Sequence, residues 1–426
     1  MRTKQRSKTI PILFWLINSS IIGIYIYLVP YFPGHRFDTQ CWGNWSAHIL
    51  EHGLLRTYNG SGNNYFPLYQ YILWVYGMMC QSKASILEHI HSLRWVTFAF
   101  DLGLLWIIYQ WINHRVAFVF IVAITLLNAA YYYNTLVWGQ VDSILSFFVL
   151  GGFYLLWQKK EIAASIMMGL AMSFKLQGII FIPVFGLLLL LVLPVQGIFR
   201  RTVMCLLAFS LTILIVSLPF LVDMNTRAEV IEGAANLVDY YPTITVGSSN
   251  FWSVIFGKAA DELPDGEKVL SLISYKHLGL LMFFTASVFA LWPLLQLVIR
   301  KFRSRSWQLP LPVLILSMAL VSLSFFTFNT QMHERYVHPL MAILLTYLLL
   351  TRDWIPFVLF SFAYMMNMES IIQNWGWGNY EIFIFNRQLL GSIYIIVWVY
   401  LACRLRQSVR KHSSPDSGLV LYSERQ

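Results

Sequence analysis

Apolar residues fall along this chain in long stretches, 10–30, 93–112, 116–134, 141–157, 161–175, 178–198, 203–222, 277–299, 309–328, 337–351, 354–368 and 387–403. A helix needs roughly 17–25 mostly apolar residues to cross a bilayer. The pattern therefore predicts an all-α, polytopic transmembrane helical bundle of about twelve spans in a single integral-membrane domain. Two interruptions are long, 31–92 and 223–276. A further apolar run, 67–80, opens with Pro67 and is short for a span. It predicts an interfacial helix that lies in or dips into the outer leaflet without crossing. The first stretch follows Arg2, Lys4, Arg6 and Lys8, as a signal peptide would, but it has no small-residue cleavage site before Tyr31. It reads as a retained anchor.

Composition agrees: 12% of residues are charged, against about 25% in soluble domains. The net charge of +10 would suit nucleic acid, but its placement points elsewhere. Basic residues concentrate at the N-terminus, at Arg300-Lys301-Arg303-Arg305 and in the tail 404–426, with weaker markers at Arg115, Lys159-Lys160, Arg200-Arg201 and Arg352. With twelve spans and both ends inside, all of these fall on the cytoplasmic face, as short basic loops do. Fifteen of the twenty carboxylates then fall outside. Topology explains the charge, and nucleic acid is not an expected partner. The assignment requires that 67–80 not cross. The cysteines Cys41, Cys80, Cys205 and Cys403 show no metal or CxxC spacing.

This threading brings scattered reactive groups to one aqueous boundary. Asp38 follows the first span ahead of an aromatic-rich stretch, where partial burial is expected to raise its pKa and make it a usable general base. Tyr65-Phe66-Pro67-Leu68-Tyr69 suits either a headgroup anchor or stacking on a sugar. Trp138-Gly139-Gln140-Val141-Asp142-Ser143 sets polar groups at the top of the bundle, although Asp142 would also serve as a favourable helix N-terminal charge. Lys175 stands between two apolar runs, where an ammonium must snorkel or meet an anion such as a phosphate. Gln331 to Tyr336 is the densest polar cluster between spans: His333 and Arg335 suit phosphate, and Glu334 an orienting role. Val337 stands where HExxH would need its second histidine. Asp239-Tyr240-Tyr241-Pro242 and Ser248-Ser249-Asn250-Phe251-Trp252 have the composition of a carbohydrate-contact surface, which generic loop composition explains nearly as well. Asp101, in mid-span, reads as an interhelical hydrogen-bonding group. No nucleotide-binding pattern is present, no cofactor is evident, and a divalent metal is not indicated.

Taken in order, Asp38, the YFPLY segment, WGQVDS at 138–143, FKLQ at 174–177, SSNFW at 248–252 and HERY at 333–336 resemble the GT-C superfamily of membrane glycosyltransferases. The likeness is strongest to bacterial relatives of the second GPI mannosyltransferase. Phe66 departs from the family, standing where the first of two prolines is usual. The resemblance implies inverting transfer of one hexose, mannose or glucose, from a polyprenyl-phosphate-sugar donor to a glycan or glycolipid acceptor at the extracytoplasmic face of a bilayer. That bilayer would be a bacterial plasma membrane, or the endoplasmic reticulum in a eukaryote. Asp38 would be the catalytic base, and Lys175, His333 and Arg335 would bind the donor phosphate. Tyr65, Trp138, Gln140, Asp142, Asp239 and Glu334 would hold sugar or acceptor. A lipid-linked sugar flippase and a glycan polymerase or ligase are the alternatives.

Overall fold

The computed structural model describes residues 12–32, 34–113, 117–236, 240–269, 271–303, 307–411 and 421–422. Its helices are α1 (Ile12–Leu28), α2 (Arg36–His52), α3 (Pro67–Cys80), α4 (Lys83–Glu88), α5 (Leu93–Trp111), α6 (Phe118–Leu126), α7 (Ala129–Tyr132), α8 (Asp142–Trp157) and α9 (Glu161–Phe174). They continue with α10 (Ile182–Val192), α11 (Ile198–Ser217), α12 (Met224–Asn236), α13 (Phe251–Phe256), α14 (Tyr275–Phe302), α15 (Leu311–Phe328), α16 (Pro339–Thr351), α17 (Ile355–Ile372) and α18 (Arg387–Lys411).

Every predicted apolar stretch coincides with a helix, but the helices differ in length. Six are long and apolar enough to cross a bilayer, or seven if the pair Phe118–Leu126 and Ala129–Trp138, bent by 70°, counts as one. Ser19–Tyr31, Asp142–Trp157, Glu161–Phe174, Leu176–Val192 and Pro339–Thr351 are shorter apolar helices. The shortening has local causes. Lys175 turns extended at φ −156° and ends α9, a 3-10 turn precedes α10, and Pro339 starts α16. The bend follows Leu127, where the Asn128 side chain caps the N-terminus of α7 by accepting from the Tyr131 N–H.

α15 forms the centre of the bundle, with 89% of its apolar window buried, whereas α11 is 11% buried and lies at the periphery. This fits their sequences, since a helix apolar on all sides needs either protein or lipid around it. α3, at 14 residues, is about 21 Å long and well short of the roughly 30 Å hydrocarbon core. It packs on α2, where the Ser46 hydroxyl donates to the Leu73 carbonyl at 2.9 Å. Trp74, Val75, Met78 and Met79 face outward from it.

One end of the bundle gathers the start of α2, the segment before α8, the end of α9 and the loop before α16. The other ends of these and neighbouring helices carry Lys159-Lys160, Arg200-Arg201, Arg300-Lys301, Arg352 and Arg404. There Lys301 donates to the carbonyls of Leu190 and Leu191 at 2.8 and 2.9 Å, closing the C-terminus of α10. Arg201 pairs with Glu161 at 2.9 Å and Arg404 with Asp353 at 2.8 Å.

Candidate active site

The first corner of the site is where α2 begins. The His35 N–H donates to the Trp138 carbonyl at 3.0 Å, docking α2 against the π-helical stretch Tyr133–Trp138. Such stretches often mark functional sites. Arg94, buried beneath, donates to the carbonyls of Val29 and Phe32. Gly139 adopts φ +82°, and a Cβ there would stand 2.8 Å from the Arg94 Nε, so the close approach requires glycine. Asp38 lies in the first turn of α2. Its Oδ2 accepts from the Trp138 indole at 2.9 Å and from the Gln140 amide, and His35 Nδ1 lies 3.2 Å away. Its Oδ1 has no hydrogen bond among the described residues.

The electrostatics differ from the expectation of a raised pKa. Burial does push the Asp38 carboxyl up, but the close His35 ring, the charge of Arg335 and the hydrogen bond from Trp138 prevail, holding it at about 2. The carboxylate is therefore ionised and held in place by donors.

Two ion pairs form another wall of the site. Lys175 donates to Asp142 Oδ1 at 2.6 Å, and Asp142 is fully buried. The Asn134 amide approaches the other oxygen at 3.4 Å. Arg335 pairs with Glu334 at 2.9 Å, its guanidinium carbon 5.6 Å from the centre of the Trp138 ring. The Tyr336 ring is near both cations, 4.8 Å from Lys175 Nζ and 5.8 Å from Arg335 Cζ. Burial works against the Arg335 charge, but Glu334 and Asp38 outweigh it and raise its pKa further. His333 behaves differently. Burial, with Arg335 and Lys175 nearby, holds its imidazole well below the usual range. It is a neutral ring packed between Tyr241 and Tyr336 at 5.1 and 4.9 Å, so the positive charge of the wall comes from Lys175 and Arg335.

Tyr65 borders the site. Its ring packs against Trp45 and Tyr69 at 5.4 and 5.2 Å. Burial raises its hydroxyl pKa, and both Asp38 and Arg335 lie near enough to act on it. Asp239 lies outside the described residues. The SSNFW segment is a strut instead of a carbohydrate surface. Asn250 donates to the carbonyls of Phe326 and Asn329, and Trp252, 1% exposed, donates to that of Phe328. A short parallel pairing of Thr245–Val246 with Met332–His333 ties the second long loop to the site. Asp101 is an interhelical anchor as expected, accepting from Tyr131 and Thr135 at 2.6 and 3.0 Å.

Several partners had no individual role in the sequence reading. His35 stands three residues before Asp38, one helical turn, a spacing that could have suggested it. His338, bridging Ser143 and Tyr364 at 3.1 Å each, and Glu369, accepting from Tyr133 and Tyr380, carry no such local signal. Among the described residues no three His, Cys, Asp or Glu side chains converge as a metal ion would need.

An ionised carboxylate with one oxygen free of hydrogen bonds among the described residues, in the field of Arg335 and at the same end of the bundle as Lys175, both half-buried, can accept a hydroxyl proton while a phosphate leaves. Residues 85–251 match the profile of glycosyltransferase family 87. This is a GT-C type family of membrane glycosyltransferases, and the match indicates glycosyltransferase activity. It runs from within α4 to the first residue of α13 and contains Trp138, Gln140, Asp142 and Lys175. Asp38, Tyr65 and the 333–336 cluster lie outside it and join the site through the contacts above. No curated protein matches the chain.

Proposed function

We propose that the protein transfers one hexose from a polyprenyl-phosphate-sugar donor to a lipid-linked or cell-envelope glycan. The reaction runs at the extracytoplasmic face of a bacterial plasma membrane, in a bundle whose twelve apolar segments all cross. The observation that carries this reading is the gathering at one end of the bundle of Asp38, whose Oδ1 has no hydrogen bond among the described residues, with the cations Lys175 and Arg335. The acceptor hydroxyl donates its hydrogen bond to Asp38 Oδ1. Its oxygen attacks the anomeric carbon from the face opposite the phosphate, the sugar–phosphate bond breaks, and the proton passes to Asp38. Configuration inverts. The bond's electron pair leaves on the phosphate oxygen, where Lys175 and Arg335 meet the charge in a dry setting.

The remaining residues support these groups. Asp142 holds Lys175 and Glu334 holds Arg335. Trp138, Gln140 and His35 aim the Asp38 carboxylate, while Tyr65 and Tyr336 offer faces to sugar or acceptor. His333, uncharged, supplies a hydrogen bond. A divalent metal is not indicated by the side chains gathered here, and turnover retained in EDTA would support a metal-independent reaction.

The test uses purified protein in proteoliposomes with labelled polyprenyl-phosphate mannose or glucose and glycolipid acceptors. Release of polyprenyl phosphate together with a one-sugar gain on the acceptor supports transfer. Movement of the lipid without bond cleavage would establish a flippase, and chain growth a polymerase. Either result overturns the proposal.

A further inference from the structure

At the basic end of the bundle, away from the site, α14 and α18 part to leave a groove of about 760 Å³. Pro293 lies inside α14 and removes one backbone donor there, a common cause of bending in a helix. The α14 wall is apolar: Val288 and Trp292, one turn apart, are exposed, and Phe289 stands beside them. The α18 wall ends in Arg406 and Arg410, also one turn apart and both solvent-facing. The Arg406 guanidinium lies 5.2 Å from the centre of the Phe289 ring.

The neighbouring cations at this end already have partners. Arg404 is paired with Asp353, and Lys301 donates to the carbonyls that end α10. Among the described residues, neither Arg406 nor Arg410 pairs with a carboxylate. An apolar wall rising, at the basic end of α14 and α18, to two guanidiniums without a carboxylate partner among the described residues complements an acyl chain joined to a phosphate. Snorkelling into bulk water would satisfy the charges alone; it does not account for the open apolar wall beside them.

We propose that this groove binds one anionic phospholipid of the leaflet at the basic end. Its acyl chain lies on Val288, Phe289 and Trp292, and its phosphate sits between Arg406 and Arg410. The site is distinct from the sugar-transfer site and does not depend on that reading.

The experiment is native mass spectrometry of delipidated full-length protein titrated with phosphatidylglycerol or with phosphatidylcholine of the same chains. Wild type is expected to retain one phosphatidylglycerol in preference to phosphatidylcholine. The double variant Arg406→Ala/Arg410→Ala should lose about 25-fold in phosphatidylglycerol affinity, about fivefold per guanidinium near an anionic surface. Arg406→Lys/Arg410→Lys should keep most of the preference, and Trp292→Ala should weaken both lipids alike. Arg300→Ala, at the same end but outside the groove, should change nothing. Equal binding of the two lipids by wild type, or equal losses in the alanine double variant and Arg300→Ala, would overturn the proposal.

Discussion

Asp38 and Asp142 both occupy the first turn of a helix at the same end of the bundle, yet their surroundings give them different work. Asp38 is held on one oxygen by Trp138 and Gln140 and keeps the other open. Asp142 is fully buried, one oxygen bonded to Lys175 and the other approached by Asn134. Under the proposed chemistry, similar residues at similar positions become a reacting group in one case and a support in the other. The difference lies in whether an oxygen remains for the substrate.

Substitutions separate the two roles. Asp38→Asn keeps the shape and removes the base, so kcat is expected to fall by about 10²–10⁴, with a smaller drop in melting temperature than Asp142→Asn. Lys175→Met removes a phosphate cation and should cost about 10²–10³ in kcat, leaving Asp142 buried without its partner. Asp142→Asn should cost about 10² in kcat/KM through misplacement of Lys175. It should also lower the melting temperature, because breaking a buried pair costs about 3–5 kcal/mol. Matching melting temperatures for Asp38→Asn and Asp142→Asn would erase the distinction. Arg335→Lys retains charge but loses the planar fork against Glu334, with an expected loss of about tenfold.

The smallest effect concerns pH. Asp38 titrates at about 2 in the folded protein against an ordinary 3.8. The depressed value contributes about 2 kcal/mol of stability above pH ~4, lost as pH falls through about 2. Melting curves should show this acid loss in wild type and lack it in Asp38→Asn. Any decline in kcat/KM between about pH 5 and 8 must come from a group other than Asp38.

Much of this arrangement was legible in the chain. The apolar runs marked every long helix, and charge placed Asp38, Lys175 and the 333–336 cluster at one end before any contact was known. Helix lengths were less legible, because the extended backbone at Lys175 and the 3-10 turn after it arise from packing and leave no break in hydropathy. Partnerships were hidden for a related reason. Lys175 and Asp142 are 33 residues apart, and a lone lysine between apolar runs looks alike whether it snorkels or pairs. The sign of the Asp38 shift was misjudged because burial can be guessed from a sequence, while converging donors cannot. SSNFW misled through composition: asparagine and tryptophan suit sugar contacts, and they suit the capping of buried carbonyls equally well.

Under the proposed chemistry, the cations beside Tyr336 remain in place after the sugar has moved. A phosphodiester donor arrives with one negative charge, and the polyprenyl phosphate left behind carries up to two near neutral pH. The grip that favours departure of the leaving group therefore tightens on it once it has departed. Under the proposed chemistry, product exit governs turnover, and spent carrier competes with fresh donor until another enzyme removes it from the membrane.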